Sequence, residues 1–139
     1  MHLVRLIYAS TITSHNDPGI IENILESARR FNPANDLTGI LYFNGDYFLQ
    51  CIEGSRQAVN NVYTCILKDA RHHTAVILDY SEISERTFSD WSMGYVPTSR
   101  TYNEYCLRYS NSREFNPYQM SGESAFKLLN ELKQVLPSI

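Results

Sequence analysis

The sequence predicts an α+β fold, with a mixed sheet and two helices on one of its faces. Three observations carry this. Apolar residues alternate or run in short bursts over Leu3–Ala9, Leu37–Phe43, Tyr47–Ile52, Thr74–Tyr80 and Trp91–Val96, as strands do. Two segments between them repeat apolar residues at helical spacing. Asn44-Gly45, between the second and third bursts, is a strong two-residue hairpin signal.

Each element follows from its own residues. After the first strand, Asp17 serves as helix cap and Pro18 as first helical residue. Ile21, Ile24, Leu25 and Ala28 then line one helical face. Asn32-Pro33 ends that helix, because a residue before proline avoids the helical region. Tyr47–Ile52 returns from the hairpin as the third strand. Ser55 caps the second helix, whose buried stripe is Val59, Val62, Tyr63 and Ile66. Thr74–Tyr80 is the fourth strand and Trp91–Val96 the fifth, with Trp91 and Met93 on one strand face.

The order β-α-β-β-α-β-β fits a ferredoxin-like sandwich. Tyr102, Tyr105, Cys106 and Tyr109 repeat at helical spacing, as do Ala125, Leu128, Leu129 and Leu132 after a Ser121 cap. These two amphipathic helices either cover the free face of the sheet or form an oligomer interface.

Bulk properties exclude several classes. The chain has 139 residues, enough for one domain with a real core, and 43% of them are hydrophobic, which argues against disorder. A net charge of −3 gives no electrostatic reason to expect nucleic acid. No apolar run has the length of a membrane span, and Met1-His2-Leu3-Val4-Arg5 lacks a signal-peptide layout. The reading is a soluble, cytoplasmic protein. Cys51, Cys65 and Cys106 form no CxxC pair, so neither zinc nor a disulfide framework is expected. His72-His73 lacks further ligands for a metal. Phosphate-binding glycine loops and hydrolase motifs are missing as well.

Two polar residues stand where apolar ones belong. Tyr8 lies near the end of the first strand and Gln50 within the third. Gln50 shares its face with Phe48 and Ile52, so it points inward. An unpaired buried amide costs about 1–3 kcal/mol, which calls for a partner, and Tyr8 is a candidate.

Read in order, a set of segments resembles one family. They are Arg5–Ser10, Asn32 ahead of Leu37-Thr38-Gly39-Ile40-Leu41, Phe48-Leu49-Gln50 with Ile52-Glu53-Gly54, Ile66–His72, Arg86-Thr87-Phe88 and Trp91-Ser92-Met93. Together they resemble the BLUF family of flavin-binding blue-light sensors. The tail, through Leu107-Arg108-Tyr109-Ser110 and the final helix, is similar to that of short stand-alone members of the PixD-like type.

The resemblance implies an oxidised flavin between the two helices: FAD, with FMN or riboflavin as alternatives. By position, Tyr8 matches the photoactive tyrosine and Gln50 the switching glutamine. Asn32 matches an amide on the ring carbonyl side, and Ile24 and Ile66 match the residues that sandwich the ring. Leu41 and Phe48 join the cofactor-binding set. Asp69, Arg71 and His72 match a polar rim near the pyrimidine and ribityl side. Trp91 and Met93 match two residues that compete for the place beside Gln50, and strand parity leaves open which one has it. Phe31 and Cys65 depart from the family's pattern, where many members have a polar residue and some a basic one. Flavin binding is expected to persist.

The implied function is a light-driven electron and proton transfer from Tyr8 with rearrangement of Gln50. It is a switch and not an enzyme. The signal would leave through the fifth strand and the C-terminal helices toward a downstream protein of unknown identity or a homo-oligomer. Residues 1–97 would be the sensor and 98–139 a helical extension. A small flavin oxidoreductase and a non-catalytic ferredoxin-like interaction module are the competing readings.

Overall fold

The computed structural model describes residues 2–96 and 100–135. Strand β1 (Leu3–Ile12) is followed by helix α1 (Ile20–Ala34), the hairpin β2 (Thr38–Phe43) and β3 (Tyr47–Ser55), helix α2 (Arg56–Leu67) and strand β4 (His72–Glu82). A short strand β5 (Gly94–Val96) and helices α3 (Arg100–Tyr109) and α4 (Gly122–Val135) complete the chain. The sheet order is β4-β1-β3-β2-β5. The first four strands pair antiparallel and β5 joins β2 in parallel. This is the ferredoxin-like sandwich with one added strand, and its sheet is therefore mixed.

Strand parity divides the side chains between two faces. Tyr8 sits opposite Gln50, and Gln50 opposite Leu41, so all three share the face that carries α1 and α2. Ile7, Cys51 and Ile40 form the adjacent row and point the other way. There they pack with Cys106, Ala125, Leu128, Leu129 and Leu132 in one core. The tail helices thus cover the second face, the sheet-packing arrangement of the two expected. Ser55 and Ser121 cap α2 and α4 through Ala58 and Ser124 N–H groups, as expected.

Local details differ from the sequence reading for identifiable reasons. Asp17 Oδ1 accepts from Gly19 N–H at 3.1 Å, so Asp17-Pro18 forms a turn ahead of α1 and Gly19 takes the cap position. Pro33 lies inside α1, because Asn32 O still accepts the N–H groups of Asn35 and Leu37 and closes the last turn. The hairpin turns on Gly45-Asp46, one residue later than read. Asn44 Oδ1 accepts from the N–H groups of Asp46 and Tyr47, and Gly45 supplies φ +102°, which favours glycine.

The fifth strand begins at Gly94 and excludes Trp91 and Met93. Backbone carbonyls there are engaged elsewhere: Trp91 O accepts from Gly39 N–H, Ser92 O from Asn32 Nδ2 and Met93 O from Arg29 Nε. Trp91 and Met93 consequently lie on opposite faces, Trp91 in the core under α4 and Met93 in a cluster with Leu41 and Phe48. The expected boundary at 97/98 and the Tyr102 side chain lie outside the described residues.

Candidate functional site

The face under α1 and α2 has two separate apolar clusters. Ile20, Leu25, Leu41, Phe48 and Met93 gather under α1, while Leu6, Tyr8, Ile52 and Val59 gather by α2. Between the helices lies a cleft of about 260 Å³. All ten residues expected to hold a cofactor line it. Ile24 and Asn32 come from the α1 side and Ile66 from the α2 side. Tyr8, Leu41, Phe48 and Gln50 belong to the sheet, and Asp69, Arg71 and His72 come from the segment entering β4.

The floor carries the predicted polar pair. Tyr8 Oη donates to Gln50 Oε1. Gln50 Nε2 donates to Met93 Sδ at 3.5 Å, so Met93, not Trp91, is the neighbour of Gln50. The two ends of this amide are held unequally, one by a phenol and the other by a thioether, a weak acceptor. Burial pushes the Tyr8 hydroxyl far above its ordinary value, helped by the Tyr63 and Asp69 charges. Tyr8 is therefore a proton-bearing donor throughout the physiological range.

The rim is more self-contained than expected. The Arg71 guanidinium and N–H both bond Asp69. These bonds hold the Asp69 carboxyl below the usual range and raise Arg71. His72 Nε2 donates to Ile66 O at 2.6 Å, and Nδ1 lies 2.7 Å from Ser10 Oγ. Both ring nitrogens are occupied, so His72 ties the end of α2 to β1. A bulge in β4, with Thr74 at φ +56°, precedes the regular pairing and lets His72 face Ile12.

Further lining residues are Ser27, Ala28 and Phe31 on α1, Ile52 on the sheet, and Val62 and Cys65 on α2. Helical spacing from Ile24 would have found the first three. The departures Phe31 and Cys65 thus sit in the cleft wall. Asn32 and Arg29 position the Ser92–Met93 backbone, a role that spacing does not signal.

This arrangement fits a flat, largely apolar ring with a polar edge: aliphatic side chains stand on both helices and an amide–phenol pair forms the floor. The family model described as sensors of blue-light using FAD matches residues 3–94. The chain belongs to the BLUF family. BLUF domains use FAD as their light-absorbing cofactor, and this one is a blue-light sensor. It is 41% identical over 81 residues to the blue light- and temperature-regulated antirepressor BluF of Escherichia coli (strain K12), across 57% of this chain and 20% of that protein. It is 30% identical over 92 residues to the photoactivated adenylate cyclase subunit beta of Euglena longa, across 66% of this chain and 11% of that protein. The chain thus spans a fifth or less of these relatives' length. Among solved structures, BlsA in its photo-activated state aligns with TM-score 0.86 and 31% identity, covering 99% of this chain and 98% of that chain. The dark state of BlrB, a BLUF protein, aligns with TM-score 0.80 and 31% identity over 95% of each chain.

Among the described residues, no group of three or more His, Cys, Asp or Glu could hold a metal ion. No helix there is long and apolar enough to cross a membrane.

Proposed function

We propose that Tyr8, Gln50 and Met93 form the switch of this BLUF domain, and that its output is conformational and not catalytic. The observation that carries this is the amide of Gln50, held at its oxygen by Tyr8 and at its nitrogen by the Met93 thioether. When bound, the oxidised flavin supplies blue-light absorption and acceptance of an electron and a proton. Tyr8 would be the donor, its proton resting on Oη against Gln50 Oε1, and would take the electron and the proton back, so that no net oxidation or reduction remains. Gln50 then rearranges its amide, which alters the contact at Met93 Sδ. Ile24 and Ile66 exclude water from the cleft, and Asn32 holds the Ser92 carbonyl so that Met93 stays in place.

Residues 1–97 act as the sensor and 98–139 as the extension that carries the response through β5 and the tail helices. A downstream protein or a second copy of the chain reads it. The antirepressor role named for BluF supports a protein partner. The cyclase activity named for the Euglena relatives is not carried over, because the match covers only 11% of them.

The test is an absorption spectrum before and just after blue light. The wild type is expected to show a small red shift of the flavin band that reverses in the dark. Gln50→Ala and Tyr8→Phe are expected to bind flavin without that shift. A normal shift in either variant overturns the mechanism. Bleaching of the band by NADH in darkness would favour an oxidoreductase.

A further inference from the structure

Glu53 is 0% exposed and, among the described buried residues, is the one charged side chain. It lies in β3 on the face away from the cleft, opposite Arg5. Its Oε2 accepts from Arg5 Nε at 2.9 Å. Its Oε1 accepts two successive backbone N–H groups, Thr87 at 2.9 Å and Phe88 at 2.8 Å. A charged acceptor in dry surroundings makes strong, short bonds, so residues 87–88 are firmly clamped to the sheet.

That clamp stands between the switch and a tail helix. Toward the switch, Phe88 O accepts from Trp91 N–H at 3.2 Å, and the chain then runs through Ser92 to Met93 beside Gln50. Toward the tail, Lys133 Nζ of α4 donates to Thr87 O. The Arg5 guanidinium, which also donates to Thr87 Oγ1 at 2.8 Å, lies 4.0 Å over the Phe126 ring of α4. Phe88 meets the same ring edge to face at 6.4 Å. This path reaches α4 without passing through β5.

We propose that Glu53 is a positioning residue that couples the Met93 segment to α4, giving the light signal a second exit alongside β5. The inference rests on the Gln50–Met93 reading above. With residues 87–88 bound to Glu53 and Arg5 as one unit, a displacement of 91–93 is not absorbed in the loop but shifts that unit, and with it the Phe126 and Lys133 contacts.

The test is amide hydrogen exchange on the full flavin-loaded chain, dark against blue light, for wild type, Glu53→Gln and Lys133→Met. Gln keeps an acceptor oxygen but loses the charge that holds Arg5. Lys133→Met breaks the α4 side at a partly exposed position and leaves the clamp intact. Wild type is expected to show a light-minus-dark difference both at Gly94–Val96 and in α4. Glu53→Gln should keep the red shift and the difference at 94–96. It should lose the difference in α4 and exchange the Thr87 and Phe88 amides at least tenfold faster in the dark. Lys133→Met should also lose the α4 difference, and it decides alone if Glu53→Gln does not fold. An α4 difference of wild-type size in the folded variants overturns the proposal, as does a wild type that red-shifts without any change in α4. A wild type without a red shift overturns the switch itself and is read from the spectrum, separately from exchange.

Discussion

The two faces of the sheet are made from the same strands and packed in opposite ways. Ile7, Ile40, Leu49 and Cys51 on one face join α3 and α4 in a single continuous core. Tyr8, Leu41, Phe48 and Gln50 on the other stand in or beside two clusters with a cleft between them. The closed face spends its apolar side chains on each other. The open face leaves part of its apolar surface for a cofactor to bury. Polar groups follow the same division: the closed face holds a fully satisfied ion pair, the open face an amide whose nitrogen rests on a thioether.

Removing the buried charge tests the closed face most severely. Glu53→Ala should destabilise the dark protein by about 3–5 kcal/mol in urea unfolding, since Arg5 is left unpaired. A loss under about 1 kcal/mol would mean this face does not depend on its ion pair. Next is a matched pair of truncations. Leu129→Ala should cost about 3 kcal/mol through its cavity. Ile24→Ala, half-buried at the cleft, should cost under about 1 kcal/mol without cofactor yet weaken flavin binding several-fold in a fluorescence titration. Equal stability losses would erase the contrast between the faces.

Alkali probes the open face. A tyrosine whose folded value lies above its unfolded one contributes stability that is whole below the unfolded value, about pH 10, and declines above it. Stability should therefore fall by about 1.4 kcal/mol per pH unit beyond that point on account of Tyr8, with Tyr8→Phe flattening the decline. An identical slope in Tyr8→Phe would show that Tyr8 is not held protonated. The smallest effect is expected at the bulge. Thr74→Gly relieves a left-handed β-branched residue and should change stability by no more than about 1 kcal/mol, read as a small shift in thermal midpoint.

Much of this was legible in the sequence. The alternation of β3 turned Gln50 toward the face of Phe48 and Ile52, and the cost of a bare amide made Tyr8 its candidate partner, which the structure pairs with it. Helical spacing located Ile24 and Ile66 on separate helices. The ordered segments pointed to Asn32, Asp69, Arg71 and His72, which line the cleft, but not to the Asn32 bond with the Ser92 carbonyl. Other features depend on contacts distant in sequence. Trp91–Met93 has strand-like composition, yet Asn32, Arg29 and Gly39 take its carbonyls, and no local pattern announces that. Nothing in the spacing around Glu53 signals that the Thr87 and Phe88 N–H groups reach it from the connection between β4 and β5. His72 reads as a solvated rim group, whereas Ser10 and Ile66 occupy both its nitrogens.

The sheet is a partition one backbone thick. Gln50 and Cys51 are neighbours along β3, as are Tyr8 and Ile7 along β1, and each pair looks into different compartments. A side chain that faces the cleft is thus never farther than one peptide unit from the sealed core behind it. The floor of the cleft is backed along its length by the core that α3 and α4 complete.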